Sequence, residues 1–197
     1  MTSIVVFNNK GGVGKTTLLC NLASYLKIRL GKKVLVIDTD PQCNATAYML
    51  PYAQLDQIYT SGKETIYEII KPLQRGKGFK QDKLPIIKSE GFQVDIIVGD
   101  PQLALSEDFL SKDWLDGKSG EYRGLQTTLL FKELLMRLED YDFVFFDVGP
   151  SLGALNRAVL AASDFFIVPM SSDIFSLQAL ENISKSLTEW SAQLSRG

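Results

Sequence analysis

Short apolar runs alternating with amphipathic stretches set the pattern of this chain. Ser3–Asn8 (SIVVFN) is a β-branched apolar run that ends in a glycine-rich turn, as a strand buried on both faces does. The next segment carries Leu18, Leu22 and Leu26 at helical spacing and stops at Gly31, a natural C-terminal cap. Lys33–Asp38 (KVLVID) reads as a second buried strand. Strand, helix and strand thus make a βαβ unit with a right-handed connection. Phe92–Gly99, Tyr141–Val148 and Asp164–Met170 repeat the apolar run and are predicted strands. Helical spacing recurs in three places. Gly124–Asp140 places Phe131, Leu134, Leu135 and Leu138 on one face, Ala154–Ala162 places Leu155, Ala158, Val159 and Ala162, and Asp173–Trp190 places Leu180, Ile183, Leu187 and Trp190. The alternation predicts an α/β fold with a mostly parallel, doubly wound sheet between two helical layers.

Two regions break the pattern. From Lys71 to Lys88, six cations (Lys71, Arg75, Lys77, Lys80, Lys83, Lys88) face only Asp82, and Gly76 and Gly78 interrupt any helix. This reads as a solvated loop or as a contact surface for a polyanion. Ser106–Tyr122 leans acidic and is expected to hold a short helix and a loop.

At 197 residues the chain is expected to form one domain, spanning 1–197, or one domain cut short. Its 45% hydrophobic and 22% charged content is that of a soluble globular protein. No apolar run reaches the roughly 18 residues of a membrane span, and the start of the chain lacks the regions of a signal peptide. A cytoplasmic location is therefore expected, with no membrane partner. The net charge of -2 gives no overall reason to expect nucleic acid, although a local patch can still bind it. Histidine is absent, which excludes Ser-His-Asp and Cys-His nucleophile systems, histidine general bases and most zinc sites. Chemistry must come from carboxylates, lysines, hydroxyls and backbone. Cys20 and Cys43 form no CxxC pair and are read as small packing residues.

The strongest local signal is NNKGGVGKTT, Asn8–Thr17. A nucleoside triphosphate needs closely approaching backbone N–H groups, a helix N-terminus, a lysine on the β- and γ-phosphates and a hydroxyl on magnesium. Gly11, Gly12 and Gly14, with Val13 between them, supply the backbone approach, Lys15 the charge and Thr16 the hydroxyl. Thr17 is placed to bond the α-phosphate. The loop follows a predicted strand and opens a predicted helix, as such a loop must.

One departure carries more information. The standard pattern G-x-x-x-x-G-K-[ST] would begin with a glycine at position 9, where this chain has Asn9, and it adds Lys10 before the glycine pair. KGGVGKTT resembles the deviant Walker A motif of the ParA/MinD ATPases, a family of P-loop NTPases with a three-layer α/β/α fold. The resemblance implies that Lys10 reaches across a nucleotide-sandwich homodimer to the partner's phosphates and stabilises charge there, as an arginine finger does. A solvated lysine, or one that binds its own nucleotide, remains the alternative.

Two acidic segments extend the likeness. In VIDTDPQCNAT, Asp38 and Asp40 stand at the carboxyl end of the second strand, where ligands bind in parallel sheets. They resemble the family's DxDPQ switch I region, which implies that Asp40 orients the attacking water and Asp38 helps hold the magnesium shell. Turn capping is the plainer role for either. VFFDVGPS ends a strand at Asp147, which the resemblance makes the Walker B aspartate, near the metal through water. The family more often has Pro-Pro after it, whereas here Gly149 precedes Pro150.

The resemblance runs from Ser3 to about Trp190, through TIYEII, VGD and SLGALNRAVLAASDFFIVPM, and is nearest the ParA partitioning branch. It implies an ATP- and magnesium-dependent switch that dimerises on ATP, hydrolyses it slowly to ADP, and is stimulated by a ParB-like partner to position a plasmid, chromosome or other cargo. Family members usually continue beyond the equivalent of Gly197 with elements that contribute adenine recognition and much of a nonspecific DNA surface, so DNA binding is not carried over by residue. Two other functions remain in view. A MinD-like membrane cycle uses a basic amphipathic C-terminal helix, whereas SLTEWSAQLSRG has one basic residue. An ATP-dependent biosynthetic enzyme of the same fold usually lacks the extra lysine.

Overall fold

The computed structural model describes residues 1–62, 64–74, 83–118, 129–170, 180–181 and 183–190. Six strands form one sheet: β1 (Thr2–Val6), β2 (Val34–Asp38), β3 (Ile86–Ser89), β4 (Val94–Ile97), β5 (Phe143–Asp147) and β6 (Phe165–Ile167). Their spatial order is β3-β4-β2-β5-β1-β6, and every pairing is parallel except β3 with β4. The helices are α1 (Lys15–Leu30), α2 (Asn44–Met49), α3 (Tyr52–Ser61), α4 (Ile66–Gln74), α5 (Ser106–Lys118), α6 (Leu130–Met136) and α7 (Ala154–Ala162), with a 3-10 turn at Pro101–Leu105.

Strand periodicity divides the core into two layers. Leu35, Ile37, Val144 and Phe146 point to one face and pack with Ile66 and Ile70 of α4, Phe131 and Leu134 of α6, and Leu155 and Val159 of α7. Val34, Val36 and Phe145 point to the other and pack with Leu19 and Ala23 of α1, Ala45 and Met49 of α2, and Ile58 of α3. Neighbouring strand residues therefore bury on opposite faces, which produces the α/β/α sandwich. Each fully buried Leu or Phe contributes about 1.5–3 kcal/mol.

The structure corrects the sequence reading in several places. The predicted basic loop is not one loop, because Lys71 lies in α4, 3.0 Å from Glu68, and Lys88 lies in β3. Arg75, Lys77 and Lys80 fall outside the described residues. β3 forms a hairpin with β4 through a four-residue turn in which Gln93 takes φ 59. In α1 the helical spacing holds but its buried face is rotated: Leu19, Cys20 and Ala23 are buried, while Leu18 is 41% exposed. The glycine loop fixes where α1 starts and hence how it is turned. Among the described residues β6 borders only β1, and Phe165 is 63% exposed rather than buried on both faces. The acidic stretch forms a 13-residue helix, α5, and its remainder from 119 lies outside the described residues. The predicted helix from Gly124 is seen from Leu130, and of the one from Asp173, residues 180–181 and 183–190 are described and helical.

Candidate nucleotide site

The Asn8–Thr17 loop leaves the carboxyl end of β1 and opens α1. Asn8 anchors its start, with Nδ2 donating to the Pro169 carbonyl at 2.6 Å and Oδ1 accepting from the Lys10 N–H at 2.8 Å. Gly12 and Gly14 have φ 73 and 79, a left-handed conformation that strains any residue with a Cβ. Gly14 is the N-cap of α1 and offers no side chain to its first N–H groups. Those groups are therefore left to face an anion at the positive end of the helix. Lys15 is buried, with Nζ 3.4 Å from the Lys10 carbonyl, and Lys10 is exposed.

β2 and β5 bring three carboxylates to this loop. Asp38 and Asp147 are register partners at the ends of the two strands, and Thr39 ties the ends together, its N–H and hydroxyl both reaching the Asp147 carbonyl at 2.9 and 2.8 Å. Thr16 Oγ1 donates to Asp147 Oδ2 at 2.8 Å, joining the loop's hydroxyl to the acid of β5. Asp147 Oδ1 is buried and makes no hydrogen bond of normal geometry, the Ala45 N–H giving the carboxylate only a weaker approach. Burial pushes the Asp147 carboxyl up to about 6; the Thr16 hydroxyl and Lys15 oppose this and Asp40 adds to it. Asp38 is pushed up to about 7, mainly by burial and then by the charge of Asp147.

Asp38 and Asp40 have different tasks despite standing two residues apart. Asp38 is fully buried, its oxygens accepting from the Asp40 N–H at 3.2 Å and the Thr46 N–H at 2.8 Å, so it braces both ends of the turn leading into α2. Gly99 lies against it, where a Cβ would come within 2.9 Å of Asp38 Cγ. Asp40 instead lines an open cleft of about 400 Å³ with Gly11, Gly12, Gly14, Lys15, Thr16 and Thr17. Its Oδ1 accepts from the Gln42 N–H at 3.0 Å, and Asn44 Nδ2 stands 3.5 Å from Oδ2. Pro150 closes one side of the cleft and Tyr48 another, the latter a residue that sequence reasoning did not single out.

The segment after Asp147 is also tied down by residues the sequence did not mark. Asn156 Nδ2 donates to the carbonyls of Gly149 and Ser151 at 2.9 and 2.6 Å. Glu107, from α5, accepts from the N–H groups of Ala154 and of Leu155, the latter at 3.2 Å, and so caps α7. An asparagine on an otherwise apolar helix face was a visible signal. The cap, 47 residues away in sequence, had none. Cys20 and Cys43 are buried, unbridged and pushed up to about 12 chiefly by burial, as inert packing thiols are.

A larger cleft, about 540 Å³, lies at the amino-terminal ends of β2 and β4 between Lys33, Lys88, Asp95 and Tyr141. Ligands of parallel sheets bind beyond the carboxyl ends, which is where the glycine loop, Asp40 and Asp147 meet. The donor set there consists of hard oxygens with one buried carboxylate oxygen lacking a hydrogen bond of normal geometry, which suits magnesium. Among the described residues no three Cys, Asp or Glu side chains group as a protein-only metal cage. A phosphate site does not need one, because magnesium there takes few protein ligands and keeps its waters. Also among the described residues, no helix is long and apolar enough to cross a membrane.

Comparison with known proteins places this geometry in a family. A family model described as an AAA domain (AAA_31) matches residues 1–196. The chromosome-partitioning ATPase Soj of Thermus thermophilus is 32% identical over 191 residues, 97% of this chain and 63% of Soj. The chain thus spans a little under two thirds of the curated relatives it matches first. Among solved structures, protein DIP2308 of Corynebacterium diphtheriae is 39% identical with a TM-score of 0.90, covering 99% of this chain and 68% of that one. A Borrelia burgdorferi protein assigned to plasmid partition and solved with AMPPNP bound is 26% identical, with a TM-score of 0.72 over 95% of this chain and 70% of its own. In fold alone the likeness reaches cobyrinic acid a,c-diamide synthase of Mycobacterium smegmatis, 23% identical with a TM-score of 0.74 over 96% of this chain and 68% of that one. The motifs, the sheet order and these relatives agree: the chain belongs to the AAA_31 family of AAA domains and is of the ParA/MinD type.

Proposed function

We propose that this chain is the nucleotide-binding part of a ParA-like switch that binds ATP with magnesium, dimerises on it and hydrolyses it to ADP. The observation that carries the reading is the 2.8 Å contact between Thr16 and Asp147 at the foot of the glycine loop, in a cleft that also holds Lys15 and Asp40. Gly11–Gly14 and the start of α1 cradle the phosphates, and Lys15 meets their charge. Thr16 and Asp147 hold the magnesium, which when bound neutralises charge on the phosphate oxygens. Asp40 orients the attacking water from the opposite wall, and Asp38 braces the turn that carries Asp40. Lys10, beside the glycine pair, meets the phosphates of a second copy as the motif resemblance implies, which would make turnover depend on dimerisation. A role in partitioning a chromosome or plasmid follows the relatives, and a stimulating ParB-like partner follows the motif resemblance alone.

The test is light scattering on the Asp40→Ala chain with magnesium and ATP, then with ADP. A dimer in ATP alone that is lost on adding Lys10→Ala supports the switch and the trans lysine. A monomer in both nucleotides removes the dimer cycle from the proposal.

A further inference from the structure

One buried side chain holds the loop after Asp147 in place. Asn156, in the first turn of α7, is 3% exposed on a face otherwise made of Leu155, Ala158 and Val159. An apolar residue would serve that face as well, and a buried amide is costly unless its hydrogens find acceptors. Both find them in the loop: Nδ2 donates 2.9 Å to the Gly149 carbonyl and 2.6 Å to that of Ser151.

Gly149 carries the constraint onward to the cleft. A Cβ built on it would stand 3.2 Å from Asp40 Oδ1, so the absence of a side chain at Gly149 leaves the Asp40 carboxylate its present place. Helix α7 is thus tied to the loop by two hydrogen bonds, and the loop passes beside Asp40 in the wall of the cleft. The loop contains Gly149 and Gly153 beside Pro150, and the two hydrogen bonds of Asn156 restrain backbone that these glycines leave free to turn.

We propose that Asn156 is a positioning residue for ATP hydrolysis: by pinning the Gly149 and Ser151 carbonyls it seats the loop against Asp40 and fixes the direction of that carboxylate. The role rests on the ATPase reading above. It separates from mere packing by what it changes. Loss of packing lowers stability and leaves turnover per bound ATP intact, whereas loss of positioning lowers turnover and leaves ATP affinity intact.

The experiment compares the wild-type chain with Asn156→Ala and the isosteric Asn156→Asp, which keeps the shape, removes the donors and sets a carboxylate against the two carbonyls. Affinity for a fluorescent ATP analogue with magnesium, phosphate release at saturating ATP, and amide exchange in residues 148–153 are measured below the melting temperature of each protein. The expected result is phosphate release lower by about tenfold or more with affinity within about threefold. Exchange in the loop is expected to be about tenfold faster. Should the alanine variant not fold, the aspartate variant carries the same comparison. Wild-type turnover in a folded variant overturns the role, whether or not exchange changes, and so does a loss of ATP affinity that accounts for the whole defect. A wild-type chain that binds no ATP or releases no phosphate overturns the ATPase reading and this role with it, an outcome distinct from an active wild type with an equally active variant.

Discussion

Asp38 and Asp147 face each other in register at the ends of β2 and β5, yet their carboxylates are used in opposite ways. Asp38 gives both oxygens to backbone N–H groups of its own turn. Asp147 gives one to the Thr16 hydroxyl and keeps the other without a hydrogen bond of normal geometry. The first arrangement braces a loop, and the second leaves a buried anion prepared for a cation.

Burial of Asp147 makes the metal-free protein sensitive to pH. Its folded value of about 6 lies above the ordinary 3.8, so its contribution to stability is full below about 3.8 and is lost as pH rises through about 6. Asp147→Asn removes the buried charge. The variant should melt higher than wild type at pH 8 without magnesium, and the gain should shrink as pH falls below 6. Calorimetry in chelator across this range checks it, and a gain that grows on acidification would be the wrong sign.

Glu107 holds the start of α7 from another helix. Glu107→Ala should cost about 1–2 kcal/mol, the range for losing a charged cap at a helix N-terminus. Urea denaturation measures it. A change within error would mean that α7 begins unaided.

Gly99, two residues beyond the end of β4, packs against Asp38. A methyl group there would stand 2.9 Å from Asp38 Cγ and 3.1 Å from Cys43 Sγ, both in packed surroundings. Gly99→Ala should destabilise the chain by about 1–3 kcal/mol, as overpacking does, and should weaken nucleotide binding through the turn that Asp38 braces. Thermal melting with and without ATP separates the two effects.

Gly149→Ala tests the contact between the two loops. Its methyl would lie 3.2 Å from Asp40 Oδ1, so the carboxylate must shift by a few tenths of an ångström. Phosphate release should fall several-fold with ATP affinity retained, and unchanged release would mean that Asp40 tolerates displacement.

The parts of the fold that are continuous in sequence were legible. β1, the glycine loop, α1 and β2 follow from apolar runs, glycines and spacing, because backbone geometry alone demands those residue types. The phosphate-loop residues named from sequence all lie along one stretch, and Gly11, Gly12, Gly14, Lys15, Thr16 and Thr17 line one cleft. The resemblance assigned Asp40 to the attacking water and Asp38 to the magnesium shell; that Asp38 accepts from the Asp40 and Thr46 N–H groups was not legible, because it depends on where β2 ends and on how the turn after it folds back. The antiparallel β3 was missed because four residues are too few to display a period, and their strand character comes from pairing with β4. Glu107 was missed because its partners, 48 residues on at Leu155 among them, are supplied by tertiary packing, whereas Asn156 stood out on its apolar face but its acceptors depend on how the adjoining loop turns.

The central claim is that Asp40 acts in hydrolysis while Lys15 and the loop act in binding. The most direct measurement is ATP affinity and phosphate release, with magnesium, for wild type, Asp40→Ala and Lys15→Ala. Asp40→Ala should bind ATP within about threefold of wild type and release phosphate at least about a hundredfold more slowly, whereas Lys15→Ala should lose binding itself. An Asp40→Ala chain that hydrolyses ATP at the wild-type rate would contradict the account.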